Sequence, residues 1–533
     1  MPHVFWDIET RSAANLRDCG SYVYSIDSTT EPLCIVYAID GGEPQLWLPG
    51  DPPPSLFFSI AADPGAWNLV AHNYFFERDI LENILVSRYA FPPIRLEVQH
   101  CTQRLALANA YPAELDLLAQ ALGLPYRKDP AARKAMLAVS RPKKARKRKA
   151  TTVPAWDEDP AKLQLLYERC KVDVITTRAV WLSPRLKHLS ETERRYQLED
   201  MAINGRGIRL DRALTTAARD LAIRERIAIN LKLQELTGGA ITSIDQVKRF
   251  LAAVNSHGHA ITTVNKRAVA QILAGKPDGY VRELLELRRT AARASVNKFK
   301  RMLAYAPLPD DRMRGTLRMY GGAPGRWAGL GPQLQNLKKN ESSLPLSVVD
   351  SIRAGDCDDI ARYGNPLSLL GDISRATLCA GPGMELKSGD FSAIESVVLA
   401  WLAGERWKLL AYQTYQRTGD TKIEPYRVIA RRVLHKSADT AISIAERQLP
   451  PTLLVDLAEV PAPGVASFPT IRAPTRRSGS SSDSGARRIL PFASSGMISR
   501  GPSGSQSAPN SPSWLLRLPS RPSWLPSPVA TSP

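Results

Sequence analysis

The chain changes character at about Leu449, and only the residues before that point carry the apolar periodicity from which a core can be built. Downstream, stretches such as Arg476-Arg477-Ser478-Gly479-Ser480-Ser481-Ser482 and Ser511-Pro512-Ser513-Trp514 sustain no period of 2 or 3.6. Text of this kind buries too little apolar surface to offset chain entropy, so residues 450–533 are expected to be disordered. The remainder of a 533-residue chain is long enough for a large core and several domains.

Three short apolar runs, Val4-Phe5-Trp6-Asp7-Ile8-Glu9, Leu33 to Ile39 and Asn68 to Ala71, read as buried strands. Helical patterns at Glu77 to Ser87 and Leu115 to Leu122 interleave with them, so an α/β domain is expected over residues 1–188. From Glu191 to Leu236 and from Tyr280 to Tyr305, apolar residues recur at helical spacing among charged ones, which predicts a mostly helical region over 189–310. Alternation returns near Arg314-Gly315-Thr316-Leu317-Arg318-Met319-Tyr320, opening a strand-containing α+β section over 311–449.

Charge narrows the partner. Lysine plus arginine number 71 against 52 acids, a formal +19, which favours a polyanion such as nucleic acid over a small acidic substrate. Six cysteines lie scattered without CxxC pairing or histidine spacing, as expected of reduced thiols rather than a disulfide frame or zinc site. The start has no basic segment followed by an apolar run, and no long apolar stretch follows, so the expected setting is cytoplasmic, with no membrane.

Asp7 and Glu9 are one residue apart on the first strand, so both side chains point to the same face. Acids recur in His72-Asn73-Tyr74-Phe75-Phe76-Glu77 and Cys170-Lys171-Val172-Asp173-Val174, so three separate segments deliver carboxylates. On these residues, roughly 1–185 resemble the DEDD 3′-to-5′ exonuclease domain, an RNase H-like fold, of family A DNA polymerases. The resemblance implies that Asp7, Glu9, Glu77 and Asp173 are the catalytic metal ligands, with Asp79 as the competing choice for the second motif. It also implies two divalent ions, magnesium or manganese, which hard carboxylate oxygens favour. One departure stands out: where the family has a tyrosine four residues before the third-motif aspartate, this chain has Arg169, with Tyr167 two residues earlier. Either Tyr167 substitutes or the attacking water is poorly positioned. The basic run Arg141 to Lys149 between these elements is either a solvated loop or a phosphate contact.

A second ordered series follows: Asn204 to Asp211, then Gly325-Arg326-Trp327-Ala328-Gly329, Gln333-Leu334-Gln335-Asn336-Leu337, Arg375, Asp390-Phe391-Ser392-Ala393-Ile394-Glu395 and Ala400 to Glu405. Its order resembles a helical thumb followed by a partial palm of phage-type family A polymerases. The resemblance implies that Asp390 binds catalytic metal and that Glu395 closes the sugar pocket. It likewise implies that Arg326, Gln335, Asn336, Arg375 and Arg447 contact DNA or the deoxynucleoside triphosphate. Pro324, Lys338-Lys339 and Val397 depart from the family pattern, and Pro450-Pro451 breaks the fingers helix that Glu446-Arg447-Gln448-Leu449 begins. After Leu449 the acids are Asp456, Glu459 and Asp483, none in a His-Asp-Glu context, so the second palm carboxylate is absent from this text. A reading-frame change near Leu449 and a deliberate tail are the two explanations. The expected function is a family A DNA polymerase by descent, with polymerisation lost. The alternatives are exonuclease alone or a non-catalytic DNA binder.

Overall fold

A computed structural model describes residues 1–125, 129–143, 154–292, 296–322, 324–338, 345–387, 389, 393–419 and 427–428. Asp390, Phe391, Ser392, Arg447, residues 144–149 of the basic run and everything after 428 lie outside the described residues. Two compact units divide between Asp390 and Phe391.

The first unit begins with a five-stranded sheet. Strands β1 (His3–Arg11), β2 (Glu31–Ile39), β3 (Gln45–Trp47), β4 (Asn68–Ala71) and β5 (Gln99–Cys101) lie in the order β3-β2-β1-β4-β5. The β1–β2 and β2–β3 pairs are antiparallel, whereas β4 joins both β1 and β5 in parallel. This places β1 at the centre, where both faces must be covered. Its period of two sorts the side chains accordingly. Val4, Trp6 and Ile8 enter one core with Ile35, Tyr37, Leu69 and Ala71, while Phe5 enters the other with Cys34, Val36, Ala38 and Val70.

Helices α1 (Leu16–Ile26), α2 (Ser55–Ala62) and α3 (Phe75–Ile80) serve the first face, supplying Tyr24, Phe57, Ile60, Phe75 and Ile80 to its core. Trp6 meets Phe57 edge-on at 5.8 Å between ring centroids, a favoured aromatic geometry. A long helix, Pro160–Trp181, covers the second face with Leu166 against Leu33, and with Cys170, Val174 and Val180 among the core residues there. It starts where the sequence supplies a cap: Asp159 accepts from the amide of Ala161, and Pro160 takes the first helical position, where no amide is needed.

Helices Glu191–Arg206 and Arg212–Leu236 follow, separated at Gly207, and then Val247–Asn255, Lys266–Ala274, Gly279–Ala291 and Val296–Tyr305. Phe250, Val254, Val269, Val281, Leu284 and Leu285 form one core among them, so the helical spacing does bury a stripe. Beyond Tyr305, the alternation of Arg314 to Tyr320 yields a pair of two-residue strands, Leu317–Arg318 with Ala328–Gly329. In the second unit, helices Ile394–Leu402 and Arg406–Thr418 bury Ser396, Ala400, Lys408 and Tyr412.

Candidate metal centre

Asp7 and Glu9 follow Phe5 on the face of β1 that the helix Pro160–Trp181 covers. The register opposes Asp7 to Val36 and Glu9 to Cys34, and a bulge follows at Glu9/Thr10, where regular pairing with β2 is interrupted. From the helix, Asp173 meets them. Among the described residues, one oxygen each from Asp7, Glu9 and Asp173 lies within 4.8 Å of the others. Two oxygens on one hard divalent ion are at most about 4–5 Å apart, twice the metal–oxygen distance, so the three fit a common ion.

Glu77 sits on α3 just past the end of β4, beyond Asn73, whose φ of 63° turns the chain out of the strand. It is only 3% exposed, and its Oε2 has no hydrogen-bond partner. Burial first, and the charge of Asp7 second, hold its carboxyl well above the usual carboxylate range. Glu77 is not among the three acids that share the 4.8 Å cluster, yet a buried carboxylate oxygen without a partner is the group a nearby cation would satisfy. Asp79 has other work: it accepts from Arg78 Nη2 at 2.7 Å and from Ser21 Oγ at 2.5 Å. His72 spends both ring nitrogens on Thr102 Oγ1 and the Ala113 carbonyl, each at 2.9 Å.

Arg169 precedes Asp173 by one helical turn and reaches into the same cluster. Its Nε lies 3.3 Å from Glu9 Oε1 and its Nη2 3.5 Å from Asp173 Oδ2, while Nη1 is buried without a hydrogen-bond partner. Burial works against its charge, but Asp173 and Glu9 more than offset it and keep the guanidinium protonated. Cys170 Sγ donates to Asp7 Oδ2 at 3.3 Å. Tyr167, the other candidate from the sequence, packs against the apolar core beside Cys34 instead.

Beside Glu9 opens a cavity of about 510 Å³, lined by Arg17, Arg133 and Arg141 and by the rings of Tyr24 and Phe76. Cations that can meet phosphates and aromatic faces that can take a base are the two ingredients of a single-strand groove. Of these residues the sequence singled out only Glu9 and Arg141. Arg17 and Arg133 are ordinary helix cations until the fold gathers them.

The residues of the second series are more dispersed. Arg326 is exposed in the turn between Leu317–Arg318 and Ala328–Gly329, and Gln335 is exposed on the 3-10 turn Leu334–Asn336. Asn336 donates to Gln333 Oε1 at 2.7 Å, and its own carbonyl accepts from Lys298 at 3.2 Å. It lines a cavity of about 640 Å³ with Lys298, Lys300, Arg301 and Gln333. Sequence reading did not single out Lys298, Lys300 and Arg301; their spacing in Asn297-Lys298-Phe299-Lys300-Arg301 is the signal that marks them, but it does not bring them to Asn336. Arg375 donates to the Leu337 carbonyl at 3.3 Å from Nη2. Trp327 of the Gly-Arg-Trp motif donates from its indole to Asp200 Oδ1 at 2.8 Å. Glu395 is exposed in the first turn of its helix in the second unit.

No protein-family profile matches the chain. Over 418 residues it is 30% identical to the DNA polymerase of Bacillus phage SP02, an alignment covering 77% of this chain and 62% of that protein. The chain therefore spans less than two thirds of the relative it matches. A solved structure, the POL domain of Pol1 from M. smegmatis in complex with DNA primer-template and dNTP, aligns at TM-score 0.47 and 13% identity. That alignment covers 85% of this chain and 67% of the other. The chain is thus similar in sequence to a phage DNA polymerase, and it brings a candidate divalent-metal cluster to the centre of its first sheet.

Proposed function

We propose that residues 1–188 form a metal-dependent 3′-to-5′ exonuclease of the RNase H-like kind, within a chain descended from family A DNA polymerases and working on DNA in the cytoplasm. The observation that carries this reading is the cluster of Asp7, Glu9 and Asp173 beside a cleft of arginines and aromatic rings. A divalent ion held there, magnesium or manganese, would polarise the phosphodiester and activate water. Asp7, Glu9 and Asp173 hold it, and Glu77 completes the acid set from α3. Phe76 and Tyr24 stack terminal bases, and Arg17, Arg133 and Arg141 engage the backbone leading to them.

Residues 189–310 are the thumb and 311–449 a partial palm, a reading supported by the likeness to the phage polymerase and by the cavity that joins Asn336 to three cations. Asp390, Glu395, Arg326, Gln335, Arg375 and Arg447 keep their proposed places along DNA and triphosphate. Polymerisation is lost in this reading, because the text after Leu449 offers no second palm carboxylate.

A labelled primer-template with magnesium, with and without deoxynucleotides, tests both halves. The expected products are shortened primers that disappear with Asp7→Ala, and no extension. Extension would refute the loss of polymerisation, and DNA binding with no product of either kind would refute the exonuclease.

A further inference from the structure

The acid cluster contains its own cation. Arg169 Nε and Nη2 lie 3.3 Å and 3.5 Å from Glu9 and Asp173, two of the three acids that share the 4.8 Å group, and only 12% of its side chain is exposed. A second ion set against Glu9 Oε1 and Asp173 Oδ2 would meet the guanidinium already placed there. A unit charge and a divalent ion about 4 Å apart repel by several kcal/mol even at an effective dielectric near 20, so the two do not share that position. The ion that remains is held by the cluster of Asp7, Glu9 and Asp173, and Glu77 on α3 offers a buried Oε2 without a hydrogen-bond partner beside it. The helix favours this arrangement, because residues four apart stand on one face and Arg169 projects beside Asp173.

We propose that Arg169 is a built-in replacement for one divalent ion, so that this centre takes up a single metal ion beside a permanent guanidinium rather than a pair of ions. The proposal rests on the reading of Asp7, Glu9 and Asp173 as metal ligands. In the ion-free chain the guanidinium partly neutralises the cluster. In the loaded chain it is a second positive group beside the phosphodiester.

The experiment counts manganese bound to the full chain by equilibrium dialysis with electron paramagnetic resonance of the free ion. Sites elsewhere are subtracted with the double variant Asp7→Asn/Asp173→Asn. One ion is expected at this centre in the wild type and in Arg169→Lys, and two in Arg169→Gln, with the first ion binding on the order of tenfold or more tighter. Two ions in the wild type, or one in a folded Arg169→Gln, would overturn the replacement while leaving the metal centre standing. No ion in any variant would overturn the metal centre itself. If Arg169→Gln does not fold, the wild-type and Arg169→Lys counts still decide, because two ions in either refutes the proposal.

Discussion

Arg78 and Asp79 show what this chain does with charges it buries. Both are nearly inaccessible, paired at 2.7 Å, and Arg78 also donates to the Met201 carbonyl at 3.3 Å, joining α3 to the helix Glu191–Arg206. Removing one partner strands the other, so Arg78→Met should cost about 3–5 kcal/mol in denaturant unfolding. Replacing both, in Arg78→Met/Asp79→Leu, should recover most of that loss. A full penalty in the double variant would mean that the Met201 contact, not the pair, carries the stability. His100 carries a pH signature. Burial chiefly, with Arg194 and two other histidines, depresses its pKa to about 3, and its Nε2 pairs with Asn68 Oδ1 at 3.0 Å. Its folded value lies below the unfolded one near 6.5, so the unfolded chain gains a proton that the folded one refuses. Its contribution to stability is complete above about pH 6.5 and falls with pH down to about 3, by at most about 1.4 kcal/mol per unit. Unfolding at pH 7, 5 and 4 should therefore show a shallower decline in His100→Asn than in the wild type. At this scale the sequence was informative where a period fixes direction: Asp7 and Glu9 share a face because a strand alternates. The burial of Glu77 was not legible, since it is set by what packs around α3 and not by the residues of its own segment.

Elements were readable in proportion to their length. Strands β1, β2 and β4 coincide with apolar runs, while β3 and β5 are three residues each, too short to show a period, and exist because longer neighbours offer an edge. The sheet order depends on parallel joints between distant segments, which no local pattern encodes. Helical spacing runs through Glu191 to Leu236, and the chain breaks at Gly207 within the Asn204 to Asp211 motif, where φ is 64° and Ile208–Arg209 pairs with Arg312–Met313. A Cβ added there would lie 2.6 Å from the Met313 carbonyl oxygen, a backbone atom with little room to yield. Gly207→Ala should accordingly cost roughly 2 kcal/mol or more, combining the left-handed penalty with the clash. A melting temperature within a degree of wild type would show that the short pairing shifts freely. Trp327 acts as a tie between elements as well as a motif residue. Its indole bond to the buried Asp200 anchors the turn bearing Arg326, so Trp327→Phe should loosen that turn and destabilise the chain by about 1–3 kcal/mol.

For the whole molecule, the excess of cations matters through where the fold collects them. Arg17, Arg133 and Arg141 line one cavity and Lys298, Lys300 and Arg301 another. If both track a DNA backbone, affinity falls with salt, and each phosphate contact removed flattens the logarithmic slope by about 0.7 for single strands. Arg133→Ala and Lys300→Ala should each lower that slope by about that amount for a single-stranded oligonucleotide, measured by fluorescence anisotropy across a salt series. An unchanged slope would assign that cavity no role in DNA binding. The central position of β1 has a consequence in time. Strand β1 is made well before the helix ending at Trp181 that packs on its acid-bearing face, so a growing chain holds Asp7 and Glu9 long before Asp173 exists. Ribosome-bound chains ending near residue 155 would carry the two strand acids without the helix that brings Asp173 to them. Chains released to about residue 190 would gain the third acid and its covering helix together, so the acid cluster is assembled only as the scaffold around it closes.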